Sequence, residues 1–487
     1  MKPMAAPDFP AGLEWLNIDR PLSVRDLSGR IVLLSFGTFA CSNCMRLVPE
    51  IRQLEEKYPD LVIIEVHSPG FESGAVTGNL REAVRRAGVD HPVAIDNDHL
   101  LWPAFGVRDW PTFVLIDPEG NVVGKTTGEG LYGRLNLKID EIAREFEQRG
   151  QLEKGRLPSG TAPVTAREGA LYQPGKITAD NAEMRLFISD SSHHRIIVAD
   201  GDGKILETIG SGAAGNTDGS FDEAAFYLPE GLVFDEEAGI LYVADSGNHT
   251  IRQVSWPERR VETVAGTGLS APSPGESGPG TGVALNAPWD LALLGSYLYV
   301  VMAGFNQVWR MDLATHEIES YAGSGREALV DGPLEEAAFA GPAGIVTDGE
   351  VLYVADSGAS AIRRIKRGMV ETFIGHSPED FGDLDTIARM ARIHHPMGIA
   401  YREGSLYIAD TYNHKIKQFD PSTGWVLTRV GNGGRGYRDG LSGDAKLNEP
   451  NGLVDFRGLW YIADTGNHTV RVYDPVRHVV STLTLWK

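Results

Sequence analysis

The sequence predicts two folds in series: an α/β domain over residues 1–148 and an all-β six-bladed β-propeller over residues 172–487, joined by a linker at 149–171. Three observations lead there. A unit of 54–59 residues recurs six times in the C-terminal part of the chain. The first 148 residues lack that repeat and alternate apolar runs with helical patterns. The stretch between them, QLEKGRLPSGTAPVTAREGALYQPG at 151–175, is rich in Gly, Pro, Thr and Ala, as linkers are.

The repeat is read from two landmarks. One is Pro174, Pro229, Pro288, Pro342, Pro396 and Pro450, in the turn before each unit's first strand. The other follows 14–16 residues later, at Asp190, Asp245, Met302, Asp356, Asp410 and Asp464. Each unit holds four short runs rich in Val, Ile, Leu and Tyr; in the second they are GLVFD, ILYVA, IRQVSW and VETVAG. Four strands per unit, repeated radially, make propeller blades. A lone blade cannot bury both faces, so the array must close on itself. VVSTLTL at 479–485 supplies the last outer strand.

Composition bounds the function. The chain has 487 residues, too many for one core. A net charge of −21, from 66 acids against 45 bases, argues against a general nucleic-acid binder. The 57 glycines fit many tight turns, and two cysteines exclude a disulfide-built scaffold. The N-terminus lacks the apolar run of a secretory leader, and no run approaches ~18 apolar residues. A cytoplasmic protein with no membrane span is therefore expected.

ADSGNHTIR at 244–252, with ADTYNHKIK at 409–417 and ADTGNHTVR at 463–471, resembles the NHL repeat family over roughly residues 172–487. The third unit replaces the Asp by Met302 and the fourth lacks the Asn-His pair, so looser turns or a specialised surface are expected there. The Asp is expected to accept backbone N–H groups in the turn that follows. Six residues on, Ile196, Ile251, Val308, Ile362, Ile416 and Val470 mark the core face of the third strand. His194, His249, His414 and His468 share one position, but equivalent sites on separate blades stand ~10 Å apart, too far for one metal. No metal site is expected. Asp200-Gly201-Asp202-Gly203 reads as a hairpin turn, since it lacks the spacing of a Ca²⁺ loop. The positions after each landmark Pro vary: Gly175, Glu230, Trp289, Ala343, Met397 and Asn451. Variation inside a regular repeat suits a binding surface at the channel mouth, with Glu230, Trp289, Met397 and Asn451 as candidates, and equally an unconstrained loop.

In the N-terminal domain, IVLLSFG, LVIIEVHS and PVAIDN read as strands, and MRLVPEIRQLEEKY and NLREAVRRAG as helices. TFVLID and NVVGKTTG form a hairpin around Pro118-Glu119-Gly120. Both cysteines, Cys41 and Cys44, stand three apart between a strand and a helix. A thiolate at a helix start is favoured by unpaired N–H groups and the helix dipole. A second thiol one turn on can resolve a mixed disulfide. Zinc would need further ligands, and His67, His91 and His99 show no paired spacing. A structural disulfide across three residues would close almost no loop. A redox pair is the better reading of the two cysteines, and no further cofactor is expected.

FGTFACSNCMRLVPEI, with Pro49 in its helix, and VRDWPTFVLIDPEGNVVG downstream resemble the thioredoxin-like family over roughly residues 12–130. The stretch between them is similar to the insertion of its TlpA-like and peroxiredoxin-like branch. The resemblance implies a thiol–disulfide oxidoreductase site in which Cys41 attacks, Cys44 resolves, and Pro111, as the family's cis-proline, lies against the sulfurs. There are departures. Ala40 replaces the usual Trp, and Ser35 stands where the family has a buried proton-moving Asp. Thr38-Phe39-Ala40-Cys41 matches half a peroxiredoxin motif, but Leu34 occupies its Pro position. Thioredoxin-like domain followed by NHL repeats resembles a known family of such fusions. Two functions follow: thiol–disulfide exchange with the propeller as a platform for protein or peptide partners, or a scaffold whose C-x-x-C is inert or redox-sensing. A propeller that is itself a metal-dependent enzyme ranks behind both.

Overall fold

The computed structural model describes residues 4–38, 48–69, 77, 80–81, 84, 89–108, 111–127, 131–155, 169–271, 273–376 and 381–487. The chain divides into two compact units, 1–166 and 167–487.

The first unit is one mixed sheet covered by helices. Its strands are β1 (Met4–Ala5), β2 (Glu14–Leu16), β3 (Val32–Gly37), β4 (Val62–His67), β5 (Val93–Ile95), β6 (Thr112–Ile116) and β7 (Asn121–Thr127). They lie in the order β1-β7-β6-β3-β4-β5-β2. β3, β4 and β5 run parallel, and the β6–β7 hairpin joins antiparallel beside β3. The central strands are buried from end to end, as a sheet covered on both faces requires. Alternation separates two cores. Leu33, Ile63, Phe113 and Leu115 pack against α1 (Val48–Lys57) and α3 (Leu131–Gln148), whereas Val32, Leu34, Phe36 and Val114 face α2 (Leu101–Ala104) and the N-terminal segment. NLREAVRRAG falls mostly outside the described residues. Residues 151–155 fold back on this unit through Glu153 N–H to Gly29 O at 2.7 Å and Gly155 N–H to Asp60 Oδ1 at 2.7 Å.

The second unit is a six-bladed propeller. Its inner strands are Pro174–Asp180, Pro229–Asp235, Pro288–Leu294, Pro342–Thr347, Gly398–Arg402 and Pro450–Phe456, each packed on the next around the ring. In blades two to six the connector ahead of the blade adds a two-residue fifth strand, such as Gly219–Ser220 on Arg260–Val261. Leu171 belongs to the apolar layer between the first and last blades.

The landmark Asp organises the five blades that carry it. Asp245 Oδ1 accepts the N–H of Tyr227, in the connector upstream, at 2.7 Å. The expected partner was the turn that follows, but that turn takes no side-chain cap from the Asp. Asp245 Oδ2 instead accepts from Asn248 Nδ2 at 2.7 Å and Arg252 Nη1 at 2.9 Å. The guanidinium goes on to Asp218 Oδ1 at 2.7 Å and the Ala225 carbonyl at 2.8 Å. Asp356–Arg363 and Asp464–Arg471 repeat the pair, and Lys417 fills the role beside Asp410. All eight side chains are sealed from solvent. Burial pushes the Asp245, Asp356 and Asp464 carboxyls up to about 6 and Asp410 to about 7, against the pull of their cations.

The third blade shows what the pair replaces. Met302 and Trp309 occupy the Asp and Arg places, both fully buried. The exchange is of a whole pair: neither charge is left alone. The turns there are no looser, contrary to the sequence expectation. Asn306 keeps the left-handed conformation (φ 53°) that His194, His249, His414 and His468 adopt at φ 54–57°, and Ser360 keeps it in the fourth blade at φ 50°.

These left-handed residues also join blade to blade. His194 Nδ1 accepts the N–H of Leu228 at 3.3 Å, His249 that of Ala287 at 3.0 Å and His414 that of Glu449 at 3.1 Å. Asn306 Oδ1 accepts from Gly341 at 2.8 Å and Ser360 Oγ from His395 at 3.3 Å. His468 Nδ1 closes the ring by accepting from Gln173 at 3.2 Å. The histidines are therefore structural, and among the described residues no group of three or more His, Cys, Asp or Glu could hold a metal. The first and last blades exchange no strand. Their seam is held by His468, by Thr465 Oγ1 donating to the Pro174 carbonyl at 2.7 Å, and by Trp486, which pairs with Gly203 and Ile205.

The third blade supplies a direct test of the pair. Asp245→Met alone takes the buried carboxylate from Arg252, leaving the guanidinium only Asp218 and backbone carbonyls, and is expected to cost about 3–5 kcal/mol. Adding Arg252→Trp, which copies Met302 and Trp309, should recover most of that loss. A double-mutant cycle by denaturant unfolding measures the coupling, and additive losses would show that the two positions act separately.

Candidate functional site

Two regions bear on function. The first surrounds the cysteine pair of the α/β unit. Cys41 and Cys44 lie outside the described residues, as does Trp110 and so its bond to Pro111. The framework on either side is described. β3 ends at Gly37, four residues before Cys41, and α1 begins at Val48, four residues after Cys44. The apolar run 32–36 forms the middle strand of the sheet, so its end emerges at the sheet's centre rather than at an edge. β6 pairs with β3 so that Thr112 stands opposite Phe36. Pro111, buried and next in the chain, therefore lies at the register step of Gly37. The fold thus brings the strand entering the C-x-x-C beside the Pro that sequence reasoning paired with it.

The second region is the propeller axis. Of the four candidates, Glu230, Met397 and Asn451 meet there, joined by Lys176 and Asp290. Lys176 Nζ donates to the Met397 carbonyl and lies 3.6 Å from Asp290 Oδ2. Asp290 Oδ2 also accepts the N–H of Ile345 at 3.2 Å. Asn451 Nδ2 donates to Glu230 Oε2 at 3.5 Å. Each of the six blades gives one group to this cluster. Trp289 does not join it: its ring packs on the apolar layer between the third and fourth blades. Met397 contributes its backbone, while its sulfur lies 3.3 Å from Ser357 Oγ.

Lys176 and Asp290 were missed in the sequence, yet they left a signal. Both stand two residues after the landmark Pro, where the other four blades have Gly231, Gly344, Gly398 and Gly452. Gly is needed there because neighbouring inner strands touch: a Cβ on Gly452 would lie 2.5 Å from Lys176 Cα, and one on Gly231 2.5 Å from Asp290 Cα. Two charged residues in a column of glycines mark a site. Burial lowers the Lys176 ammonium and raises the Asp290 carboxyl from their ordinary ranges. Burial also pushes Glu230 up to about 7, partly offset by Lys176. One cation thus faces two carboxyl groups, and the proton that Glu230 holds relieves the excess negative charge.

That proton predicts a pH dependence. The folded chain binds it more tightly than the unfolded chain, where the carboxyl has its ordinary value of 4.5. Glu230 therefore contributes stability that falls as pH rises from 4.5 through about 7. Glu230→Gln removes the ionisation. Its melting temperature relative to wild type is expected to rise between pH 5 and pH 8, and a difference independent of pH would contradict the assignment.

Comparisons with known proteins agree with this architecture. A thioredoxin-like family model matches residues 29–122 and an NHL repeat model matches residues 226–254. NHL repeat-containing protein 2 of Bos taurus is 35% identical over 524 aligned positions, covering 99% of this chain and 72% of that protein; the Homo sapiens protein matches equally. Protein SUPPRESSOR OF QUENCHING 1, chloroplastic, of Arabidopsis thaliana is 36% identical over 96% of this chain and 46% of its own length. The first unit alone is similar to the thiol-disulfide oxidoreductase ResA of Bacillus anthracis, at 30% identity over 25% of this chain and 69% of that one.

Proposed function

The chain belongs to the family of NHL repeat-containing protein 2, and from that premise we propose that it performs thiol–disulfide exchange at Cys41 and Cys44, with the propeller as the platform that selects its partner. The observation that carries the proposal is the β3–β6 register, which sets Pro111 beside the strand that runs into the only two cysteines. Similarity of the first unit to a named thiol-disulfide oxidoreductase supports it. The Cys41 thiolate attacks one sulfur of a partner disulfide and forms a mixed disulfide, releasing the partner's first thiolate. The Cys44 thiolate then attacks the Cys41 sulfur and releases the second. The partner gains two electrons and, with two protons, leaves as a dithiol; the chain keeps the Cys41–Cys44 disulfide. Pro111 would receive the partner's backbone as an added strand. Two cysteines kept for exchange suit a reducing compartment such as the cytoplasm, and among the described residues no helix is long and apolar enough to cross a membrane.

A scaffold reading is favoured by Ala40 and Ser35, which replace residues that serve efficient exchange in thioredoxin-like enzymes. In it the NHL propeller alone docks the protein or peptide, and the C-x-x-C is inert or senses redox state. The axis groups give little support to catalysis by the propeller, because Lys176, Glu230, Asp290 and Asn451 are engaged with one another.

Insulin or a small disulfide probe tests the first reading: reduction by wild type should fall to background in Cys41→Ser. Cys44→Ser should hold partners on Cys41 as mixed disulfides, identifiable by mass spectrometry. Equal reduction by wild type and Cys41→Ser, or partner capture unchanged with both cysteines replaced, would favour the scaffold.

A further inference from the structure

One stretch of the propeller rim departs from the repeat. The connector ahead of the fifth blade turns through Ala388-Arg389-Met390. At the same distance before the landmark Pro, the second and fourth blades have Phe221-Asp222-Glu223 and Leu334-Glu335-Glu336. A cation and an apolar side chain thus stand where two acids stand elsewhere, and both project outward: the Arg389 side chain is 70% exposed and Met390 63%. The neighbouring positions change in the same sense. Ile387 and Trp425, register partners at the edge of the fifth blade, are exposed, as is Met369, which opens the fourth blade's outer strand Met369–Ile374. The outer strands of the second and third blades open instead on Arg260 and Glu317. Between the fourth blade's outer strand and the Ala388–Met390 turn runs a groove of about 600 Å³ whose apolar lining is Met369, Val370, Phe373 and Ala388.

The charge left over around this groove is positive. Its two acids are engaged, Asp331 with the buried Arg363 at 3.0 Å and Glu371 with Arg364 at 2.6 Å. Arg389 approaches Asp331 only to 3.7 Å and donates to the Thr372 carbonyl at 3.3 Å. Lys366 and Arg367, in the turn that leads into Met369, are exposed and make no ion pair among the described residues. The wider surroundings carry the same sign: residues 361–487 hold 17 Lys and Arg against 14 Asp and Glu, whereas residues 151–360 hold 12 against 30. Screening limits the reach of an exposed charge to ~8 Å at physiological ionic strength, so a partner at the groove meets its local positive sign rather than the −21 of the whole chain. Exposed apolar surface rimmed by polar groups marks a contact with another molecule, and Met side chains adapt to what they meet. We propose that this groove docks an acidic segment of a partner protein. The segment's apolar side chains lie on Met369, Phe373 and Met390, and its carboxylates face Arg389, Lys366 and Arg367. This rests on the platform reading above and gives the platform a place and its partner a chemistry.

The test is fluorescence anisotropy on the full-length protein with a labelled synthetic peptide in which Glu alternates with Leu and Phe. The same peptide with Lys for Glu, a single-stranded RNA oligonucleotide and vesicles of phosphatidylserine and phosphatidylcholine are run beside it. The acidic peptide should bind, and bind more weakly as salt rises. Its affinity should fall about tenfold or more in the double variant Arg389→Glu/Met390→Glu, which loses both the cation and the apolar contact. Both residues are exposed, so the melting temperature should match wild type. Glu336→Gln, at the place of Met390 in the fourth blade's connector, should leave the affinity unchanged. No binding of the acidic peptide, equal affinity in the double variant, or binding of the Lys peptide, the RNA or the vesicles in its place would overturn the docking site. Trapping on Cys44→Ser separates this site from the exchange reading. Partners trapped equally well when the double variant is added leave exchange standing and overturn the groove as its platform. Groove-dependent peptide binding by a chain that traps nothing supports the groove and overturns exchange.

Discussion

Five of the six propeller blades depend on one carboxylate each, and the third replaces it with Met302. The landmark Asp takes a backbone N–H from the connector on one oxygen and a cation on the other, so it fixes at once where the connector lies and where the third strand begins. Asp245 does this with Tyr227 and Arg252, Asp356 with Ala340 and Arg363, and Asp464 with Asn448 and Arg471. The arrangement persists in a dry interior because each charge is answered and each N–H of the guanidinium fork that faces the connector meets an oxygen. In the first blade Ile197 stands at the Arg position, and Asp190 is answered from the other side by Arg195 at 2.7 Å and His193 at 2.8 Å. In the five blades that carry the acid, different cations serve the same carboxylate; the third blade dispenses with both.

The architecture was legible because it is periodic. Landmark Pro and Asp residues marked the blades, and the apolar residue six after the Asp marked the buried face of the third strand. Partners distant in sequence were harder to see. The Asp's backbone partner lies 18 residues upstream, where local turn chemistry does not look. The axial cluster joins residues as far apart as Lys176 and Met397, and only the break in a column of glycines announces it. The helix Leu131–Gln148 was passed over although Leu135, Ile139, Ile142 and Phe146 are spaced for one helical face. The fifth strands, two residues long, carry too little pattern to be read at all.

The α/β unit was read in the same two ways. The run 32–36 and the hairpin after Pro111 were plain from their β-branched and aromatic content. Their antiparallel register, which sets Pro111 at the end of β3, follows from tertiary pairing and could be reached only by resemblance.

The seam between the last and first blades bears on how such a ring can arise. Every blade has four strands of its own, and the joint that closes the circle, a left-handed residue accepting an N–H from its neighbour, is the joint used between covalently consecutive blades, through His at three of them and through Asn306 and Ser360 at the other two. A ring of this kind needs no swapped strand to register its ends. Tandem copying of one blade-sized segment already encodes both sides of every joint, the final one included. Growth by duplication and closure are then the same event, and the number of blades is left to the wedge angle of the packed sheets.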